Sequence, residues 1–232
     1  MTNFDQAFGH FASEYLPAHA PNSLQSQLAR LGRLTDLERE QSLQLDESEE
    51  QFVFLGEGAT KLVAHASQSR DQIVAFHFAG DVVSVPARAH HSYAVCALRR
   101  SAILSFPSDR FLALAVAEPA ILGRLLDSSR TSLLRCREKT ITLGRKSASE
   151  RIATFLLTMA ERIGTPSADG TRLDLPMSRR DIADSLGLTI ETVSRQFTLL
   201  RDKRLIETTG RTGVLLLDPQ CLGDCAGYLR AA

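Results

Sequence analysis

The sequence has no excess of charge of either sign: 27 lysines and arginines balance 27 aspartates and glutamates. A nucleic-acid partner therefore cannot be inferred from total charge and has to rest on local geometry. No run of about 18 consecutive apolar residues occurs, and the N-terminus lacks a basic segment followed by an apolar one. Neither a membrane helix nor a secretory signal is expected, which predicts a cytoplasmic protein.

Cysteine is scarce, and four residues in 232 are too few for a disulfide scaffold. The motifs G-x-S-x-G and H-E-x-x-H and the phosphate-binding loop are also missing, which argues against an enzyme. What remains is an ordinary globular composition, with 44% hydrophobic and 23% charged residues, in a chain long enough for two small domains.

The composition changes along the chain and predicts an α+β protein in four parts. Residues 1–21 form a polar leader that ends at prolines and is expected to be ordered only in part. Residues 22–116 begin with an amphipathic helix in LQSQLARLGRL and continue as an antiparallel β-roll. The expected strands are FVFL, KLVAHA, QIVAFHF, DVVSV, YAVCAL and AILSF. A long helix follows over 117–143, and 144–232 form a second domain.

A heptad pattern runs through the long helix, with residues spaced alternately by four and three. This seam consists of Leu122, Leu126, Ser129, Leu133, Cys136, Thr140 and Leu143. It indicates a helix that pairs with a second copy to form a homodimer. A long helix buried within one subunit is the alternative, and a roll that leads into a long helix favours the dimer.

The C-terminal domain has the element order of a winged helix-turn-helix. Ser147 is expected to cap a helix in SERIATFLLTMAERIG, the linker TPSADGTR follows, and LDLPM is a short strand. Ser178 should cap the next helix, which ends at Gly187 in a left-handed conformation. Thr189 should then cap a second helix from Ile190. Finally, LIETT and VLLLD bracket the tip GRTG as a hairpin.

The second helix of such a motif lies in the major groove of DNA, so it must expose polar side chains near its start. Glu191, Ser194 and Arg195 fall at i, i+3 and i+4 and form one ridge, here called the reading ridge. Arginine can donate twice to guanine, glutamate can accept from cytosine, and serine can do either, so the ridge suits base reading. Alternatively, Glu191 only interacts with the helix dipole and pairs with Arg195.

Polar and basic residues around the reading ridge are predicted to bind DNA phosphates. They are Ser178, Arg179, Arg180, Thr189, Thr192, Gln196 and Arg211. Arg211 is the strongest of the arginines, because a hairpin tip has little structural need for one. The other arginines are equally consistent with ordinary surface charges, as are Arg201, Lys203 and Arg204 after the helix.

These motifs resemble the C-terminal half of regulators of the CRP/FNR superfamily, and the resemblance covers about residues 22–230. The heptad helix, SERIATFLL, the run LPMSRRDIADSLGLTIETVSR and the wing carry it. The E-x-x-S-R pattern of the reading ridge is similar to that of the FNR and FixK branches. The resemblance implies a homodimer that reads an inverted repeat with TTGA-like half-sites, with RNA polymerase as a further partner. Gln196 departs from the family, which usually has an apolar residue there.

The same resemblance bears on ligands of the roll. Cyclic AMP binding in the family needs a glycine-glutamate and an arginine-serine pair, which Ser84 with Val85 and His91 with Ser92 replace here. Valine cannot accept a ribose hydroxyl, and an ordinary histidine is mostly neutral at pH 7, so cyclic AMP is not expected. Residues 1–95 contain no cysteine, so an FNR-type iron-sulfur cluster is not expected either. No cofactor is predicted.

Other cysteines and histidines have both a chemical and an ordinary interpretation. Cys221 and Cys225 have helical spacing, but no histidine lies in 144–232, so half-buried thiols are expected rather than zinc ligands. Cys136 is expected to be a small core residue, with a redox role as the alternative. The histidines are expected at the surface or hydrogen-bonded, with a metal or haem site as the alternative; those in question are His77, His90 and His91.

Three functional hypotheses follow. The first is a homodimeric sequence-specific transcription regulator. The second is a regulator whose roll binds an unidentified small molecule and so controls DNA binding. The third is a structural or enzymatic protein whose winged helix mediates protein contacts.

Overall fold

The computed structural model describes residues 3–45, 48–67, 70–86 and 91–227. The chain divides into two compact units, Met1–Leu134 and Arg135–Ala232, and their boundary falls inside one long helix. The first unit is rich in strands, and the second contains a helix-turn-helix followed by a hairpin. The predicted α+β class, with a β-roll, a long central helix and a winged helix-turn-helix, is confirmed.

In the first unit, helices α1 (Asn3–Tyr15) and α2 (Asn22–Leu31) precede the strands. The described strands are β1 (Arg33–Leu37), β2 (Gln51–Glu57), β3 (Ala59–Ser67), β4 (Arg70–Phe78), β5 (Val82–Val85), β6 (Ser92–Ala97) and β7 (Ser101–Pro107). They form two antiparallel sheets, in the orders β1-β7-β2-β5 and β4-β3-β6. The six apolar runs predicted as strands lie in β2 to β7.

Alternation along the strands gives this unit two apolar clusters, because successive side chains of a strand point to opposite faces. Val53, Leu55 and Ile103 belong to the cluster that also includes residues of β5 and β6. Phe54 and Leu104 lie on the other face, in a cluster with residues of the helices. The roll therefore has an interior of its own and a second face covered by helices.

The N-terminal leader, which was predicted to be ordered only in part, contains a helix over residues 3–15 that was not predicted. These residues form α1, whose Phe11 and Tyr15 are buried. The Phe11 ring lies 5.0 Å from the Phe106 ring and 5.4 Å from the Phe54 ring, measured between centroids. Aromatic pairs contribute about 0.5–1.5 kcal/mol beyond their burial, so the ring contacts hold α1 on the roll.

Helix α2 is shorter than the predicted LQSQLARLGRL because it ends at Leu31, and the following residues enter β1. Gly32 has an extended backbone. A Cβ at Gly32 would lie 2.9 Å from the Phe106 ring, so the chain approaches the sheet too closely for a side chain.

Helix α3 (Ser108–Ala115) leads to α4 (Pro119–Arg145), the long helix that carries the heptad seam. Leu122 packs against the helix-covered cluster of the roll. Further along the seam, Leu126 and Leu133 are 60% and 50% exposed in the single chain. The seam residues Ser129, Cys136 and Thr140 are exposed as well. The alternative of a helix buried within one subunit is therefore wrong for this stretch. Cys136 lies on the seam, so its exposure in a single chain leaves the expectation of a core residue between paired helices as a prediction.

In the second unit, the remaining helices are α5 (Ala148–Ile163), α6 (Arg179–Leu186), α7 (Ile190–Asp202) and α8 (Pro219–Cys225). The strands are β8 (Thr165–Ser167), β9 (Gly170–Asp174), β10 (Ile206–Thr209) and β11 (Gly213–Leu216). They form an antiparallel sheet in the order β10-β11-β9-β8. The predicted linker TPSADGTR is thus mostly the β8–β9 hairpin. This hairpin belongs to the same sheet as the wing strands β10 and β11, because β9 pairs with β11. In the described parts of the chain, no helix is both long and apolar enough to cross a membrane.

Candidate DNA-binding surface

Helix α6 begins with the cap that its sequence predicts. The Ser178 hydroxyl accepts a hydrogen bond from Asp181 N at 3.1 Å, and Ser178 N donates to Asp181 Oδ2 at 2.8 Å. Such a reciprocal capping box satisfies two helix donors, and losing a capping hydroxyl costs about 1 kcal/mol. The capping box therefore fixes the start of α6, and the predicted phosphate ligand Arg180 lies two residues after the cap.

The turn between α6 and α7 also has the predicted conformation. Gly187 has φ 62° and ψ 42°, and the backbone N–H of Leu188 donates to Ala183 O. A Cβ at Gly187 would meet nothing closer than Arg151 Nη1 at 3.6 Å. Glycine is favoured at this position because the backbone is left-handed there, and not because a side chain would lack space.

Helix α7 exposes the reading ridge and buries the opposite face. Thr189 caps the helix, with its hydroxyl accepting from Thr192 N at 3.2 Å. The buried residues are Val193, Phe197 and Leu200. The exposed residues include all three members of the reading ridge, Glu191, Ser194 and Arg195. The structure therefore places the predicted base-reading side chains together on one exposed surface.

The charges of the reading ridge bear on its two interpretations, which are base reading and a helix-dipole contact of Glu191 combined with an ion pair to Arg195. Backbone hydrogen bonding at the start of α7, followed by the Thr189 hydroxyl, lowers the pKa of Glu191 below its ordinary value. Arg195 and Arg180 lower this pKa further. Glu191 thus benefits from the helix N-terminus, as the alternative interpretation supposes. However, no ion pair joins it to Arg195 among the described residues, and Arg195 Nη2 instead lies 3.4 Å from Thr192 Oγ1.

Arg179 occupies a different environment from the exposed phosphate ligand that was predicted. Its guanidinium carbon lies 3.2 Å from the centroid of the Phe197 ring, between α6 and α7. Burial, and then the charge of Arg201, lower the pKa of Arg179 to about 10. Its Nη1 atom is buried and has no hydrogen-bond partner among the described residues. Arg179 therefore stabilises the packing of the two helices, a role that stacking on an aromatic ring allows.

The other predicted phosphate ligands fall into two groups. In the first group, Gln196 is half-buried, and its Oε1 atom is enclosed and has no partner among the described residues. Ser178 caps α6, and Thr189 and Thr192 take part in the cap of α7. Arg180 is exposed beside the ridge, and Arg211 is exposed at the tip of the wing next to Gly210, which has φ 61°. Arg180 and Arg211 are the cations best placed to meet phosphates.

The remaining cysteines and histidines form no site among the residues that the structure describes. No group of three or more His, Cys, Asp or Glu able to hold a metal ion occurs there. Cys225 is half-buried as expected, whereas Cys221 is exposed, and its hydrogen bond with Asp218 raises the pKa of the Cys221 thiol. His77 lies on the opposite face of β4 from two buried phenylalanines, as predicted, and His91 is exposed. His90 falls outside the described residues.

Comparison with known proteins identifies the family. A Crp-like helix-turn-helix domain matches residues 150–225. The nitrogen fixation regulation protein FixK of Bradyrhizobium diazoefficiens is 36% identical over 163 residues, which span 70% of this chain and 68% of FixK. The transcriptional activatory protein AadR of Rhodopseudomonas palustris is 34% identical over 175 residues, covering 75% of this chain and 73% of AadR. The structure of FixK2 from Bradyrhizobium japonicum matches with a TM-score of 0.73 and 29% identity, over 87% of this chain and 99% of that one.

A winged helix-turn-helix with an exposed polar ridge, together with these relatives, defines a DNA-binding transcription regulator. The chain belongs to the CRP/FNR family, and FixK-like and FNR-like regulators are among its relatives. These relatives are transcription regulators, which confirms the prediction that the chain is not an enzyme.

Proposed function

We propose that this regulator binds DNA as a homodimer and reads an inverted repeat with TTGA-like half-sites. The observation that carries the proposal is the reading ridge, because Glu191, Ser194 and Arg195 are all exposed on one side of α7. An acidic side chain gains nothing from phosphates, so Glu191 beside Arg195 favours contact with base edges over simple attraction to the backbone.

The exposed face of α4 supports the dimer. Besides the seam residues Leu126 and Leu133, this helix also leaves Leu134 and Ile141 about half exposed, and neither was predicted from the heptad pattern. Large apolar side chains repeated along one helix favour pairing with a second helix. Two copies joined in this way present two α7 helices, which require half-sites about one helical turn of DNA apart.

The roll contributes no cyclic AMP site in this proposal. Val85, which the family resemblance aligns with the ribose-binding glutamate, is buried in the apolar interior of the roll. Ser84 is exposed, and its hydroxyl donates to Glu50 Oε1. In this proposal, DNA binding does not depend on cyclic AMP. If the purified protein bound its site only after a small molecule was added, the alternative of a ligand-gated regulator would replace this part of the proposal.

Activation of transcription is the expected outcome of DNA binding. AadR is named as a transcriptional activatory protein, and another relative, from Rhizobium leguminosarum, as a probable transcriptional activator. By analogy, the bound dimer makes contact with RNA polymerase at its promoters. Transcription in vitro from a promoter carrying the inverted repeat, with and without the protein, tests the direction of this effect.

Replacing Arg195 by alanine tests the reading role. We expect Arg195→Ala to weaken binding to the inverted repeat by about 1–3 kcal/mol and to relax specificity at one base pair of each half-site. Arg211→Ala is the matched control: it removes one arginine from the wing tip and should weaken binding to all sequences alike, with a smaller salt dependence. Equal losses for Arg195→Ala on the repeat and on random DNA would show that Arg195 contacts only phosphate.

A further inference from the structure

Arg151, on the first turn of α5, joins three separate segments through one guanidinium group. Its Nε donates to Lys146 O at 2.9 Å, its Nη2 to Leu143 O at 2.9 Å, and its Nη1 to Leu186 O at 2.8 Å. Leu143 lies in the last turn of α4, and Leu186 is the last residue of α6. The planar guanidinium group donates from three separate nitrogen atoms in a fixed fork, whereas the three donors of a lysine share one nitrogen atom.

The acceptors are carbonyl groups that the helices leave open. The last carbonyls of a helix have no donor within the helix and carry the negative end of its dipole. For Leu143 the donor four residues on would be Ser147 N, which instead donates to Glu150 Oε2 in the cap of α5. Leu186 directly precedes the left-handed Gly187 that turns the chain into α7. One cation therefore stabilises two helix ends and holds them together.

A second contact joins α4 and α6, at the residue of α6 that precedes Leu186. Lys139 Nζ, on α4, donates to the hydroxyl of Ser185, on α6, at 3.0 Å. Ser185 is buried, whereas Lys139 is partly buried. The last two residues of α6 thus both accept hydrogen bonds from other helices: Ser185 from Lys139 of α4, and Leu186 from Arg151 of α5. All of these residues belong to the second unit, Arg135–Ala232.

We propose that Arg151 is a positioning residue for DNA recognition, which fixes the direction of α7 relative to the end of α4. The inference rests on the proposed function, in which α4 pairs two copies and α7 reads DNA. The Gly187 turn transmits the position of the end of α6 to the start of α7. With Arg151 in place, two reading helices keep one separation, and the dimer accepts one spacing between half-sites. Lys139 assists by holding Ser185.

The direct test is the dependence of affinity on half-site spacing. Full-length wild type and Arg151→Gln are titrated against inverted repeats of TTGA half-sites with spacers from two base pairs shorter to two longer than the optimum, and against a single half-site. We expect Arg151→Gln to lose roughly tenfold in affinity at the optimal spacing, the weight of one hydrogen bond to a charged group, and to distinguish the spacings less sharply. Its affinity for a single half-site should stay within about twofold of wild type, since α7 itself is unchanged.

Two further variants separate geometry from charge and from folding. Arg151→Lys keeps the charge but not the fork, so its spacing profile should be flattened like that of Arg151→Gln. Arg145→Gln removes an exposed arginine at the end of α4 and should behave as wild type. Circular dichroism shows whether each variant is folded. An unchanged spacing profile in Arg151→Gln would overturn the proposal, and so would equal losses on the repeat and the single half-site.

A measurement without DNA keeps the inference separate from the proposed function. Spin labels are attached at Glu138→Cys on α4 and Asp202→Cys on α7, and the distance between them is measured by pulsed electron paramagnetic resonance, with labelled chains diluted in unlabelled ones. The native cysteines to be replaced are Cys96, Cys136, Cys221 and Cys225. We expect one narrow distance distribution, broadened or shifted by Arg151→Gln. An unchanged distance distribution in Arg151→Gln would overturn the positioning role of Arg151. If the wild-type protein did not prefer the inverted repeat over random DNA, only the proposed function would be overturned.

Discussion

Replacing Lys139 by methionine tests how the end of α4 is packed on α6. Burial lowers the pKa of Lys139 from 10.5 to about 8, although the neighbouring Cys136 acts in the opposite direction. Because each tenfold change in a protonation constant is worth about 1.4 kcal/mol, keeping this lysine charged costs the folded state roughly 3 kcal/mol. The hydrogen bond from Lys139 to Ser185 offsets part of that cost.

The cost depends on pH in a defined direction. Below pH 8 the lysine is protonated in both the folded and the unfolded chain, so the full cost is present. Between about pH 8 and 10.5 the unfolded chain binds more protons than the folded one, so stability rises with pH by up to about 1.4 kcal/mol per pH unit. Methionine carries no proton, so the variant lacks this rise.

We expect Lys139→Met to be more stable than wild type by about 1–2 kcal/mol at pH 7, since removing a buried charge outweighs one lost hydrogen bond. The difference should shrink as the pH rises and vanish by about pH 9.5. Urea unfolding followed by far-ultraviolet circular dichroism at several pH values measures it, with Lys203→Met, an exposed lysine, as the control. A Lys139→Met variant that is less stable than wild type by one constant amount at every pH would refute the reasoning.

Three further predictions concern the turn, the end of α7 and the seam. Gly187→Ala should destabilise the protein by about 1 kcal/mol, because only the left-handed backbone opposes it, and Gly187→Asn should cost less; equal stability of the alanine variant in urea unfolding would contradict this. Arg204, with φ 55° and an exposed side chain, should become more favourable as glycine, and we expect Arg204→Gly to raise the free energy of unfolding by up to about 1 kcal/mol, which a lower urea midpoint would disprove. Leu133→Asp should convert a dimer to a monomer in light scattering while circular dichroism stays unchanged, since Leu133 is half exposed in the single chain; a persistent dimer would remove Leu133 from the seam.

Much of the DNA-binding surface could be predicted because its signals are local. A serine or threonine cap accepts from a backbone N–H only three residues on, and a left-handed glycine ends its own helix. Ser178, Gly187 and Thr189 were therefore identified correctly from neighbouring residues. Strands β2 to β7 of the roll were found for the same reason, since each contains a short apolar run between turn residues, whereas β1 was not predicted. Exposure of the reading ridge followed from helical spacing alone.

The features that were missed depend on distant partners. Strand β8 has only three residues, and its hairpin with β9 is stabilised by β11, which lies about 40 residues further on. Arg151 was not singled out, and Arg179 was predicted as a phosphate ligand or an ordinary surface charge, because nothing local reveals the Leu186 carbonyl group or the Phe197 ring that they contact. Helix α1 did have a signal, since Phe4, Phe8, Phe11 and Tyr15 recur at helical spacing, but the polar residues between them concealed it.

Selection of DNA fragments by the purified protein tests the central claim most directly. Random duplexes are incubated with the full chain, without added ligand, and the bound fraction is sequenced at moderate salt concentration. We expect enrichment of an inverted repeat with TTGA-like half-sites whose centres lie about one helical turn apart, as two α7 helices in successive major grooves require. Enrichment of no sequence, or of unpaired half-sites without a fixed spacing, would contradict recognition by a dimer through the reading ridge.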